Sequence, residues 1–154
     1  MTVPCSIART ARRAPRVLLI GPDAEVQDAM HLLLEGCGCN VRREASVGAF
    51  VGEDGDDLGF DLALVDFYPL TPRSVPEVRA LRAALGPHSA LIVALTPNVP
   101  EGIDASLMAA GCSACMPMSA LPDRIEAIIA WAAAAARTAN APGRPRSPRG
   151  EADR

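Results

Sequence analysis

The spacing of hydrophobic and polar positions along the chain changes repeatedly, and the order of changes predicts five strands alternating with five helices. Runs of apolar residues within 16–20, 61–66 and 90–95 predict strands that are buried on both faces. Two weaker strands are predicted at 40–44, which is more polar, and around 114–116, which is short. Strands buried on both faces predict a parallel sheet between two layers of helices.

Apolar residues three and four positions apart predict the helices between these strands. The first helix has Asp23 as its N-cap and ends near Gly36, and the last begins near Pro122. A short helix is predicted at 47–51. The apolar stripes of the other helices are Val26, Met30, Leu33 and Leu34; Val75, Val78, Leu81 and Leu85; Ile103, Leu107 and Ala110; and Ile125, Ile128, Ile129 and Ala132.

Both ends of the chain are basic, whereas its centre is acidic. Between residues 17 and 137, sixteen acids outnumber seven arginines. We therefore predict a flexible basic arm at 1–15, a folded domain at 16–137 and a disordered Pro/Arg-rich tail at 138–154. The arginines could bind nucleic acid, but neither end interleaves aromatic residues with them, so we expect solvated ends and no nucleic-acid partner.

No apolar stretch approaches the roughly 20 residues that a membrane span needs, and no signal-peptide pattern opens the chain. The five cysteines are an odd number, which argues against a disulfide framework. These observations predict a soluble cytoplasmic protein with reduced thiols and no membrane partner.

Asp66 and Thr96 stand at the carboxyl ends of the third and fourth predicted strands. Open α/β sheets bind ligands at this edge. A carboxylate beside a hydroxyl suits phosphoryl chemistry, because the first can act as a nucleophile and the second can donate to a phosphoryl oxygen. Alternatively, Asp66 caps a loop and Thr96 bonds local backbone, and spacing alone leaves both interpretations open.

From Arg16 to about Arg137 the chain resembles a response regulator receiver domain. The resemblance depends on the first strand, on 61–66 followed by Pro69, on 90–96, and on 109–112 in place of the family's Ala-Gly-Ala turn. It implies a flavodoxin-like α/β fold, with a five-stranded parallel sheet in the order 2-1-3-4-5. It also implies a stand-alone module of two-component phosphorelay signal transduction, not an enzyme.

By the same resemblance, Asp66 is the phosphoacceptor and Thr96 is the switch hydroxyl that contacts the phosphoryl group. The backbone carbonyl of Tyr68 falls where the family ligates a divalent ion, together with the Asp66 carboxylate. Asp23 is a weak third metal ligand, since its expected role is to cap the first helix.

Three positions depart from the receiver pattern. Gly21 and Pro22 replace the two acids that usually hold Mg²⁺, and Met118 replaces the lysine, in a chain without any lysine. Removing one electrostatic donor from such a site costs roughly 10²–10³ in rate. We therefore expect Mg²⁺ binding and Asp66 phosphorylation to be weak or absent. The alternative is a functional phosphoacceptor, for which a histidine kinase supplies the missing charge.

Cysteines offer a second class of function. Cys112 and Cys115 form a Cys-x-x-Cys pair, and with Cys37 and Cys39 they could make a four-thiolate zinc site. A redox pair is the other possibility, although the segment runs from a helix C-terminus into a strand, the wrong polarity for a lowered thiol pKa. The plain alternative is that these are small buried residues. In the receiver pattern, Cys115 replaces the aromatic switch residue.

Trp131 lies about 120° from the centre of the apolar stripe of the last helix. It is either packed at the flank of the core or exposed as an anchor for a partner protein. The resemblance implies protein partners, namely a histidine kinase, a downstream regulator or a second copy in a homodimer.

Overall fold

The computed structural model describes residues 13–51, 59–67, 70–86, 90–96 and 102–139. Within these ranges strands and helices alternate as the pattern predicts. The strands are β1 (Arg16–Ile20), β2 (Asn40–Glu44), β3 (Leu62–Asp66), β4 (Leu91–Thr96) and β5 (Ala114–Pro117). The helices are α1 (Ala24–Gly36), α2 (Val47–Val51), α3 (Ser74–Leu85), α4 (Ile103–Ala110) and α5 (Leu121–Ala139), the last preceded by a 3₁₀ turn (Met118–Ala120).

The five strands form one parallel sheet in the order β2-β1-β3-β4-β5, which confirms the predicted flavodoxin-like topology. In the register of the sheet, Ile20 lies beside Val65, and Asp66 lies beside Leu95. Because all strands run the same way, the carboxyl ends of β1, β3 and β4 reach one edge of the sheet. That edge carries Gly21, Asp66 and Thr96.

Side chains from the sheet fill two apolar layers, one on each face. Along β3, Ala63 and Val65 face the layer under α2, α3 and α4, which we call the α3 face. Leu62 and Leu64 face the layer under α1 and α5, which we call the α5 face. The apolar run of β3 therefore supplies both layers, as expected for a strand without a solvent-exposed face.

The backbone geometry of two helix ends is clear, and the first of them confirms the predicted N-cap of α1. The Asp23 side chain accepts hydrogen bonds from the amides of Glu25 (2.9 Å) and Val26 (3.1 Å), and so caps α1. Helix α4 stops at Gly111, whose φ of +130° is unfavourable for a residue with a side chain.

The segment just before β1 is tied to the domain. Arg13 forms an ion pair with Asp61 (3.1 Å), and the Pro15 carbonyl accepts a hydrogen bond from the Asn40 amide (2.8 Å). The rest of the predicted arm, the predicted tail from residue 140 onward, and Tyr68 with Pro69 lie outside the described residues. None of the helices in the described ranges is both long and apolar enough to cross a bilayer.

Candidate functional site

Asp66 ends β3 with a half-buried carboxyl group. Burial raises the pKa of this carboxyl, and the nearby negative charge of Asp23 raises it further. Among the described residues, no hydrogen-bond donor reaches the Asp66 carboxylate, and no arginine contributes to its pKa shift. The described residues around Asp66 therefore disfavour the charged form of its carboxyl group.

The loop after β1 packs directly against this carboxyl group. A Cβ atom added to Gly21 would lie 3.1 Å from the Asp66 Cβ and 3.6 Å from its Oδ2. The first distance is tighter than ordinary van der Waals contact. The Gly21 amide donates to the Glu44 carbonyl (3.1 Å), which holds the loop in place. Gly21 thus lets the backbone approach Asp66 where the receiver pattern has an acidic side chain.

A buried glutamine fixes the same loop, and the sequence pattern did not identify it. Gln27 Nε2 donates to the carbonyls of Gly21 and Glu44, both at 2.8 Å. Gln27 is buried, as are Met30 and Leu34, three and seven positions later. A polar residue in register with a buried stripe was the available signal, but the partners of its amide are backbone atoms that the sequence does not reveal.

Arg43 on β2 completes this hydrogen-bond network, but it donates to residues other than Asp66. Its Nε donates to the Gln27 Oε1 (3.2 Å), and its Nη1 forms a short ion pair with Asp28 (2.6 Å). Its Nη2 also donates to the Ala24 carbonyl at 3.4 Å. The Arg43 guanidinium therefore binds the first turns of α1.

Thr96 is fully buried at the end of β4, and its Oγ1 has no hydrogen-bond partner within the described part of the chain. A buried hydroxyl without a partner costs about 1–3 kcal/mol. The Phe67 amide donates to the Leu95 carbonyl (3.0 Å), which joins the tips of β3 and β4. The structure thus brings Asp66 and Thr96 to adjacent strand ends, where the Thr96 hydroxyl has no partner among the described residues.

The described oxygen donors are a poor match for Mg²⁺, which needs near-octahedral coordination. Asp23 Oδ1 already accepts two backbone hydrogen bonds, and neither Gly21 nor Pro22 has a ligating side chain. Within the described ranges no group of three or more His, Cys, Asp or Glu side chains could hold a metal ion. The predicted ligand at the Tyr68 carbonyl lies outside those ranges.

Met118 begins the 3₁₀ turn after β5 and packs, half-buried, on the α5 face. The position that the resemblance assigns to a lysine is therefore an apolar contact. Farther along, Trp131 on α5 is 43% exposed, in agreement with its predicted place off the buried stripe.

The four-thiolate zinc site, one of the alternatives for the cysteines, does not form among the described residues. Cys37 and Cys39 belong to the α5 face, whereas Cys112 and Cys115 belong to the α3 face. The sheet separates the two pairs. The spacing of the cysteines in the sequence could not assign the two pairs to faces of the sheet.

Comparison with known proteins shows a shared fold at low sequence identity. No family model and no curated protein matches the sequence. A response regulator receiver domain protein from Methanospirillum hungatei superposes with a TM-score of 0.70 at 20% identity, over 82% of this chain and 99% of that one. The chain has the receiver-domain fold. A two-component response regulator from Clostridium difficile and a chemotaxis response regulator from Vibrio cholerae superpose as well.

Two further structures superpose on this chain, and they come from proteins of different kinds. The receiver domain of a sensor histidine kinase from Pseudomonas aeruginosa has a magnesium ion coordinated in its active site cleft; its TM-score is 0.64 at 20% identity, covering 79% of this chain and 99% of that one. A protein from Burkholderia pseudomallei described as pilus assembly-related has a TM-score of 0.69 at 19% identity, covering 79% and 90%.

Proposed function

We propose that this chain is an atypical receiver module of two-component signalling, which acts through protein contacts and not as an enzyme. In this proposal phosphorylation of Asp66 is weak or absent. The observation that carries it is the charge around Asp66, whose described charged neighbour is another carboxylate, Asp23. A phosphoryl donor brings further negative charge to this edge, and repulsion therefore opposes its approach.

The chemistry of phosphoryl transfer explains why the missing cations matter. Catalysis of this reaction consists almost entirely of positioning and of neutralising charge on the transferring group. The sequence offers Gly21, Pro22 and Met118 where acids for a metal ion and a lysine would stand. By analogy with oxyanion sites, each lost electrostatic contribution costs roughly 10²–10³ in rate. We expect Mg²⁺ to bind weakly or not at all for the same reason.

One observation favours the second candidate, a functional phosphoacceptor. Thr96 Oγ1 is buried at the tip of β4 without a partner among the described residues. A phosphoryl oxygen on Asp66 would give this hydroxyl an acceptor and remove the cost of leaving it unpaired. In this alternative, a histidine kinase supplies cationic side chains to the complex and so replaces the missing charge.

The two candidates are separated by a direct labelling experiment. The protein is incubated with acetyl phosphate and Mg²⁺, and intact mass spectrometry measures the phosphorylated fraction, with Asp66→Asn as the matched control. We expect no phosphoprotein above the level of the control. Labelling within minutes that reaches one phosphate per chain and disappears in Asp66→Asn would overturn the proposal and favour the phosphoacceptor.

A further inference from the structure

The chain bends between Cys112 and Cys115 in a way that places both side chains on one face of the sheet. In a regular strand, residues three positions apart point to opposite faces. Here the backbone bends at Ser113, and both cysteines pack on the α3 face. Each thiol is the largest influence on the pKa of the other, which indicates that the two groups interact. Cys115 lies beside Ala94 in the sheet, and the Ala94 backbone lowers the pKa of the Cys112 thiol.

The two thiols differ in burial and in acidity. Cys112 is 5% exposed, whereas Cys115 is half-buried and so the more exposed of the two. Interaction with the Cys112 thiol lowers the pKa of Cys115, against the effects of burial and of Asp104. Interaction with Cys115 and burial raise the pKa of Cys112, and the Arg82 guanidinium opposes this rise. Cys115 therefore forms a thiolate more easily than Cys112, and the thiolate is the nucleophilic form of cysteine.

We infer that Cys112 and Cys115 form a dithiol that hydrogen peroxide converts reversibly to a disulfide, with Cys115 attacking and Cys112 resolving. The Cys115 sulfur bonds one peroxide oxygen, the O–O bond breaks, and hydroxide leaves and takes up the proton that Cys115 released. The Cys112 sulfur then attacks the sulfenic sulfur of Cys115, and the S–O bond breaks. Water leaves with the Cys112 proton. Two thiols and one peroxide thus give one disulfide and two waters.

The position of this pair suggests what oxidation would affect. The Cys112 amide donates to the Leu107 carbonyl (3.0 Å), and Arg82 Nη2 donates to the Gly111 carbonyl (2.8 Å). The pair therefore lies where α3, α4 and β5 are joined, two residues along β4 from Thr96 in the register of the sheet. A disulfide would constrain this junction. The inference does not depend on whether Asp66 is phosphorylated.

The arginine-only sequence permits a sharp test, because trypsin then cleaves only after arginine. Cys37 and Cys39 fall in the peptide 17–42, and Cys112 and Cys115 fall in the peptide 83–124. Folded protein is treated with one equivalent of hydrogen peroxide, alkylated, digested and mapped by mass. We expect peptide 83–124 to lose two hydrogens, to resist alkylation until dithiothreitol is added, and to react about tenfold faster than peptide 17–42.

Single substitutions then assign the roles. In Cys112→Ala we expect Cys115 to accumulate as sulfenic acid, which dimedone traps, and in Cys115→Ala we expect peptide 83–124 to stay alkylatable. Cys39→Ala is the matched control and should leave the oxidation of peptide 83–124 unchanged. Circular dichroism verifies that each variant is folded. Alkylation of both thiols in oxidised wild-type protein, or equal oxidation of the two peptides, would overturn the inference.

Discussion

Two half-buried charged side chains, Arg82 and Asp66, lie near opposite edges of the sheet in opposite surroundings. Arg82 on α3 donates to the carbonyls of Ala90 (2.7 Å), Gly111 (2.8 Å) and Gly86 (3.3 Å). Asp66 receives no hydrogen bond from the described residues, and its described charged neighbour is Asp23. Burial disfavours the charge in both cases, because it lowers the pKa of Arg82 and raises that of Asp66.

The difference distinguishes a structural charge from an available one. The Arg82 guanidinium ties the ends of α3 and α4 to the start of β4, so its desolvation is offset by hydrogen bonds. Asp66 and the neighbouring Thr96 hydroxyl have no such compensation within the described residues. Folded proteins satisfy most buried polar groups, and exceptions often mark functional sites. The edge of the sheet that carries Asp66 is therefore where we expect function.

The largest expected effect comes from restoring the missing charges. The double variant Pro22→Asp with Met118→Lys returns a metal-ligating carboxylate and an ammonium group to this edge. Pro22 is exposed, so an aspartate there is tolerated. We expect acetyl phosphate to label Asp66 at least roughly 10²-fold faster than in wild-type protein, measured by intact mass in the presence of Mg²⁺.

The matched control moves the new carboxylate by one residue. In Gly21→Asp with Met118→Lys, the added Cβ lies 3.1 Å from the Asp66 Cβ, and the loop must shift to accept it. This variant should gain less than the first. No gain in either variant would show that missing charge is not what limits phosphorylation of Asp66.

The next largest effect is expected from removing Arg82, the buried charge that is compensated by hydrogen bonds. Arg82→Ala leaves the carbonyls of Gly86, Ala90 and Gly111 without this donor and removes the side chain packed against Gly111. We expect the free energy of unfolding to fall by about 2–3 kcal/mol, measured by urea denaturation followed by circular dichroism.

The control for this loss is Arg79→Ala, an exposed arginine on the same helix. Its substitution should change the free energy of unfolding by no more than about 0.5 kcal/mol. Equal losses in the two variants would mean that the carbonyl bonds of Arg82 contribute little, and the contrast with Asp66 would then lose its basis.

Sequence patterns predicted what depends on local periodicity. The alternation of elements and the convergence of Asp66 and Thr96 follow from apolar runs and the geometry of parallel strands, whereas the order of the strands came from the resemblance to receiver domains. Gln27 and Arg82 were not identified as anchors, because most of their partners are backbone carbonyls of segments distant in sequence. The faces of the cysteine pairs escaped prediction because one bend at Ser113 decides the orientation of Cys112.

The smallest expected effect is the sharpest test of whether the Asp66 carboxylate lacks a favourable partner. Because the pKa of Asp66 is raised in the folded state, the folded protein binds more protons than the unfolded chain in the window above the ordinary pKa of about 3.9. Its carboxylate therefore lowers stability as pH rises through that window. We expect Asp66→Asn to match wild-type stability near the bottom of the window and to exceed it at pH 7.

Solvent screening of the half-exposed carboxyl limits this gain to about 0.5 kcal/mol, measured by urea denaturation at a series of pH values. Asp23→Asn is the matched comparison, since asparagine still caps α1 but removes the neighbouring charge. It should bring the pKa of Asp66 closer to its ordinary value and so reduce the gain from Asp66→Asn. A loss of stability in Asp66→Asn at pH 7 would mean that the carboxylate has a favourable partner after all, and Asp66 would then resemble Arg82.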